Sequence, residues 1–200
     1  MATWPLNWNV VRHDLVVGSC PRTPSDLGAL CVEARVSAVL SVQHDECLEK
    51  QEIDYLRQIR YGRRLGLTME RYPLRDFDPA DQRRGLPTAV RGLYGLLRQG
   101  HRVYVHCTAG INRSPLVVLA YLTLVEGIDL EEAMTLLLRA RPEVCPTWEA
   151  YHGCRQDLTA RYEDRIRQRA GALGQGSALP EQEAWRQAER AIWREVLTAE

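Results

Sequence analysis

The run Val103–Pro115 (VYVHCTAGINRSP) constrains the fold more than any other stretch of the chain. It reads as a short buried strand, a tight loop that opens on Cys107 and closes on Arg113, and a helix. Five residues separate the cysteine from the arginine. A loop of this size curls so that successive backbone N–H groups point at one centre, and the arginine lays its planar fork across the opening. Such a nest at a helix N-terminus is a site for a tetrahedral oxyanion. Here it is lined by Thr108, Ala109, Gly110, Ile111, Asn112 and Arg113, with Cys107 at its floor. The amides, the helix dipole and Arg113 together pull a thiol from about 8.5 towards the activated range of about 3.5–7.5. A thiolate aimed at bound phosphorus is a nucleophile for phosphoryl transfer. A lone buried cysteine is ordinarily an inert packing residue, but here the strand, the glycine, the arginine and the helix all fit one geometry.

The flanking chain predicts an α/β fold with a central, mainly parallel sheet flanked by helices. Leu15–Val17 and Val36–Val42 read as strands, the second apolar enough to be covered on both faces. Thr68–Leu74 and Arg102–His106 follow as strands. Helices are expected from Pro24, over Glu46–Leu65, Leu86–Arg98, Ser114–Glu126, Leu130–Arg139 and Thr147–Ile166. Pro115 falls in the first turn of its helix, where a missing N–H costs little. Residues 1–169 form the catalytic domain in this reading. Residues 170–180 (AGALGQGSALP) read as a linker, and residues 181–200 as a C-terminal amphipathic helix with Trp185, Ala188, Ile192, Trp193 and Val196 on one stripe. That stripe either docks on the same domain or serves self-association.

A cysteine nucleophile needs a group to protonate the leaving oxygen and later to deprotonate water, and a carboxylic acid on a neighbouring loop does both. Asp76, Asp78 and Asp81 follow the preceding strand. Asp76 is favoured because it directly ends that strand, with Asp78 the alternative. Phe77, the one Phe in the chain, is expected to wall the substrate. His106 is assigned support, holding the loop and helping to keep Cys107 ionised. Ser114 can direct its hydroxyl at the sulfur, besides serving as a helix cap. No metal or cofactor is required, because Arg113 and the amides supply the positive charge.

Composition narrows the partners. The 26 basic and 26 acidic residues cancel, so no nucleic-acid partner is indicated. The longest uncharged apolar run, Ser114–Val125, is 12 residues and far too short to span a membrane. Met1–Asn9 lacks a signal-peptide pattern. Six cysteines without CxxC spacing read as reduced thiols, so a cytoplasmic setting is expected.

His106–Cys107, five residues, then Arg113–Ser114, with an acidic loop some thirty residues upstream, resembles the cysteine-dependent dual-specificity phosphatases. Within that family the chain is most similar to the plant starch-excess type of glucan phosphatase and, more distantly, to laforin. The shared stretches include VRHDLVVGSC from Val11, TPSD from Thr23, VQHD from Val42 and RDFD from Arg75. The resemblance implies that family's fold, a thiolate nucleophile, a phosphocysteine intermediate, Asp76 as general acid, Phe77 as a glucan contact and hydrolysis without metal. It departs from the plant enzymes at Asn112, where they carry glycine, and at Lys50–Gln51 and Cys145, where they carry aromatics. The expected substrate is a phosphorylated glucan or other sugar. A phospho-Tyr/Ser/Thr protein is the alternative, and a phosphate-binding pseudo-enzyme the reading from outside catalysis.

Overall fold

The computed structural model describes residues 5–176 and 179–199. A five-stranded sheet has the order β1-β2-β5-β3-β4, formed by β1 (Trp8–Arg12), β2 (Leu15–Gly18), β3 (Ala38–Gln43), β4 (Thr68–Leu74) and β5 (Val103–His106). β2, β5, β3 and β4 run parallel to their neighbours, and β1 alone is antiparallel. The mainly parallel sheet matches the expectation. β1 itself was not foreseen. It pairs with β2 across the tight turn at His13–Asp14, and a register irregularity between Val10 and Arg12 breaks the alternation that marks a strand in sequence.

The helices are α1 (Pro24–Val32), α2 (Asp45–Lys50), α3 (Tyr55–Arg64), α4 (Pro79–Arg98), α5 (Arg113–Ala120), α6 (Leu130–Ala140), α7 (Trp148–Arg161), α8 (Glu163–Gly176) and α9 (Glu181–Thr198). Because strand side chains alternate between faces, Leu15, Val17, Leu40, Val42, Val103 and Val105 pack into one large core with α4–α7 and α9. Val16, Val39 and Tyr104 pack the other way, onto Leu27 and Leu30 of α1 and Tyr61 of α3.

Several boundaries differ from the sequence reading. The polar helix expected over Glu46–Leu65 is two helices, because Asp54 accepts the Arg57 N–H (2.9 Å) and starts α3 afresh. α4 begins at Pro79 rather than Leu86, capped by Asp78, and runs straight through Pro87. α5 loosens into a π-helical turn over Tyr121–Val125, where the Thr123 hydroxyl donates to the Leu119 carbonyl (2.8 Å) and accepts from Tyr151 (2.9 Å). The helix expected over Thr147–Ile166 breaks at Tyr162.

The stretch read as a linker is helical as far as Gly176, with Ala170 and Leu173 packed against Ile166, Ala188 and Ile192. Its glycines misled because tertiary packing outweighs a helix cost of about 1 kcal/mol each. The stripe of α9 is buried within this chain: Ala188 and Ile192 meet α8, and Trp193 and Leu197 join the main core.

Candidate functional site

β5 lies in the middle of the sheet and delivers Cys107 at its carboxyl end, where open α/β sheets place ligands. Gly110 sits at φ 74°, and a Cβ there would lie 2.4 Å from the backbone of Gly18. The loop is therefore pressed onto the end of β2 at a point only glycine allows.

Every carbonyl from Cys107 to Asn112 is tied by a donor outside the nest. Cys107 O faces His106 Nδ1 at 3.0 Å. Thr108 O accepts the Cys20 N–H (2.9 Å) and Ile111 O the Cys145 N–H (2.7 Å). Ala109 O and Gly110 O accept Nη2 and Nε of Arg141, each at 2.9 Å. Asn112 O accepts the Leu116 N–H at 3.0 Å. With the carbonyls held outwards, the intervening amides are left to face the centre, which is the requirement for an oxyanion nest.

At that centre Cys107 is 2% exposed. Its sulfur accepts the Gly110 N–H at 3.3 Å and the Ser114 hydroxyl at 3.4 Å. Burial alone would push the thiol up. The Arg113 charge, the Ser114 hydroxyl and the amides of Ser114 and Gly110 outweigh it, and the thiol lies below its ordinary value. The neighbouring Cys20 thiol goes the other way, to about 11, through burial and then the Cys107 charge. Activation is thus confined to one sulfur of the two.

Arg113 is 1% exposed and spans the site. Nη1 donates to Leu74 O (3.0 Å) and Cys47 Sγ (3.2 Å). Nη2 donates to Thr108 Oγ1 (3.2 Å) and pairs with Asp76 Oδ2 at 2.9 Å. Its buried Nε has no partner among the described residues.

The acidic loop sorts its carboxylates by contact. Asp78 caps α4 through the Asp81 N–H (2.9 Å), and Asp81 accepts the Arg75 N–H (2.8 Å). Asp76 is the one that reaches the arginine of the loop. Phe77 stands 93% exposed at φ 56°. A bulky residue in the left-handed region is a genuine outlier, and here it aims an uncovered ring into solvent beside Asp76.

Two assignments change in detail. Burial pushes the His106 imidazole down to about 4, so the ring is neutral near pH 7 and lends the thiolate no charge; it anchors the loop through the Cys107 carbonyl. Asn112 contributes its backbone to the nest, while its side chain clamps the Cys145–Thr147 segment through Cys145 O (2.8 Å) and the Thr147 hydroxyl (2.9 Å).

The structure also brings in residues outside the cysteine loop and the acidic loop. Arg141 holds two loop carbonyls, Cys47 and Leu74 seat the guanidinium, and Gln43 donates to Thr108 Oγ1 at 3.2 Å. Gln43 ends β3 at the carboxyl edge, where open α/β sheets place ligands, and the sequence points to it on that ground. Arg141 follows α6, far along the chain, and carried no signal. Among the described residues no group of three or more His, Cys, Asp or Glu side chains is placed to hold a metal ion.

Fold and loop together define a class: a strand–cysteine loop–helix anion site in a helix-flanked α/β sheet. The sequence matches the family described as dual specificity phosphatase, catalytic domain, over residues 37–153, and the chain belongs to that family. It is 39% identical over 163 residues to phosphoglucan phosphatase DSP4, amyloplastic, of Castanea sativa, a match covering 80% of this chain and 43% of that protein. It is 30% identical over 155 residues to phosphoglucan phosphatase LSF1, chloroplastic, of Arabidopsis thaliana, covering 78% of this chain and 24% of the relative. The chain therefore spans less than half the length of either plant protein. In fold it is similar to the human tyrosine phosphatase-like serine/threonine/tyrosine-interacting protein, with a TM-score of 0.61 at 20% identity, covering 78% of this chain and 97% of that one.

Proposed function

We propose that this chain hydrolyses phosphate monoesters of a phosphorylated glucan through a phosphocysteine intermediate. The observation that carries the chemistry is the Cys107 sulfur, held below its ordinary thiol pKa inside a ring of amides and facing Arg113. A bound phosphate supplies the partner that Arg113 Nε lacks among the described residues and takes the guanidinium from Asp76; the freed Asp76 carboxylate takes up a proton from solvent before the chemical step. The Cys107 thiolate then attacks phosphorus, the P–O ester bond breaks, and the leaving alkoxide takes its proton from Asp76. In the second step Asp76, now a carboxylate, deprotonates a water that attacks the phosphocysteine. The S–P bond breaks, inorganic phosphate leaves and the thiolate returns, its charge eased by the Ser114 hydroxyl. Arg113 and the amides carry the charge that develops on the equatorial oxygens throughout.

The glucan assignment is supported by the similarity to the two plant phosphoglucan phosphatases and by the exposed ring of Phe77 beside the acid. An aromatic face suits the flat apolar side of a sugar. Phosphate release from phosphorylated amylopectin, measured beside a phosphopeptide panel, tests it. Release from amylopectin that falls in a Phe77→Ala variant is the expected result. Release confined to the peptides overturns the glucan reading in favour of a protein phosphatase.

A further inference from the structure

The catalytic loop accounts for Arg113 and Arg141, yet a second set of arginines gathers elsewhere. A cleft of about 350 Å³ lies between the π-helical turn, the loop that starts α6, α7 and α9, with Arg155, Arg186, Arg190 and Trp193 in its wall. It adjoins a second cleft of about 540 Å³ that shares Arg155 and Trp193 and reaches His152.

The Arg155 guanidinium is fixed between two rings, 5.0 Å from the centroid of Trp193 and 5.8 Å from that of Tyr151. Arg186 and Arg190, one turn apart on α9, are exposed and have no ion pair among the described residues. The two carboxylates of the same wall are otherwise engaged. Asp129 caps α6 through the Glu131 N–H (2.9 Å), and Glu189 accepts the Thr159 hydroxyl (2.6 Å). A neutral donor does not cancel a carboxylate's charge, so three guanidinium groups face two carboxylates here and the surplus is one positive charge. Such a surplus, with one guanidinium pre-set by aromatic stacking, suits a phosphate monoester, which arginine binds through paired N–H groups.

The position relative to the catalytic loop gives the cleft a use. Thr147, which precedes α7, donates its hydroxyl to Asn112 Oδ1 of the loop. Arg155 lies eight residues further along, about 12 Å up the helix axis at a rise of ~1.5 Å per residue. Between them Trp148, 40% exposed, stacks on His152 at 5.9 Å. The geometry points to a second, non-catalytic site in the α7–α9 cleft that binds a phosphate group of a multiply phosphorylated glucan while another of its phosphates occupies the Cys107 loop. This rests on the glucan reading above. Two linked contacts turn the second into an intramolecular event and raise apparent affinity without altering chemistry at the first.

The test uses the full chain and the paired variant Arg186→Ala/Arg190→Ala. With phosphorylated amylopectin the variant raises KM about fivefold, as expected for two exposed charge contacts, and leaves kcat and KM for an aryl phosphate unchanged. Arg186→Lys/Arg190→Lys, which keeps the charge but not the paired N–H groups, restores only part of the loss. In a second arm Cys107→Ser protein is titrated while the Trp193 indole resonance is followed by NMR. A phosphorylated maltooligosaccharide shifts that resonance at concentrations where inorganic phosphate does not, and the paired alanine variant abolishes the shift. An unchanged amylopectin KM overturns the proposal, and so does a shift produced equally by inorganic phosphate. Should the wild type release no phosphate from amylopectin, the glucan reading fails by itself; the maltooligosaccharide titration then decides the cleft, a missing Trp193 shift overturning it and a shift that needs the two arginines supporting it.

Discussion

Arg141→Met separates a loop that is merely present from one that is pre-organised. The substitution keeps the apolar stem of a side chain that is 3% exposed and removes the donors to Ala109 O, Gly110 O and Asn9 Oδ1. Each buried acceptor left without a partner costs about 1–3 kcal/mol. Ala109 and Asn9 are only half-buried, so water recovers part of the loss, and a net destabilisation of about 3 kcal/mol is expected. For a domain of this size that lowers Tm by about 6–12 °C.

The catalytic effect is separate. The peptide planes that carry those two carbonyls also carry the Gly110 and Ile111 amides, and the Gly110 amide bonds the sulfur. Freed of Arg141, the planes can turn and withdraw donors from the nest. Loss of one oxyanion donor costs about 10²–10³ in kcat elsewhere, so a fall of about 10² is expected here from two partly displaced ones. The assay is aryl phosphate hydrolysis well below the variant's Tm, with folding checked by near-UV circular dichroism. The pH profile of Cys107 alkylation should move upward in parallel. A folded Arg141→Met protein whose kcat stays within about twofold of wild type would refute the reasoning.

Further outcomes follow from the same contacts. Ser114→Ala removes the hydroxyl that bonds the sulfur; the Cys107 alkylation profile shifts to higher pH, and phosphoenzyme breakdown slows more than its formation in rapid-quench kinetics. Asp76→Ala slows a substrate with a poor leaving group far more than an activated aryl phosphate. Asp78→Ala, which loses the cap of α4, instead costs about 1 kcal/mol of stability by denaturant titration and leaves that leaving-group dependence intact. Burial lowers His106 from 6.5 to about 4 in the folded state, so protonation favours unfolding. Its contribution is whole above pH 6.5 and is lost as pH falls towards 4, by about 3 kcal/mol in all. His106→Gln should flatten that part of the stability–pH curve.

The parts of the site visible in sequence are those whose chemistry is written in one local run. Cys107, Gly110, Arg113 and Ser114 lie within eight positions, so spacing alone predicts how they meet. Asp76 was separable from Asp78 only in part, because both follow a strand; their different contacts, one to Arg113 and one to an α4 amide, are tertiary facts. Arg141 and Cys47 reach the loop from 32 residues beyond Ala109 and from 66 residues before Arg113, and nothing at their own positions marks them.

The fold shows the same division. Buried strands with β-branched runs were legible, whereas β1 was hidden by its irregular register. The helical course of residues 170–176 was hidden by glycines that α9 packing overrides.

Acid-quenched mass spectrometry of the enzyme during turnover of phosphorylated amylopectin tests the central claim most directly. The account predicts a phosphoryl group on the peptide holding Cys107, accumulating further in Ser114→Ala and absent in Cys107→Ser. Phosphate release from amylopectin that persists in Cys107→Ser, or a phosphoryl group carried on another residue, would contradict it.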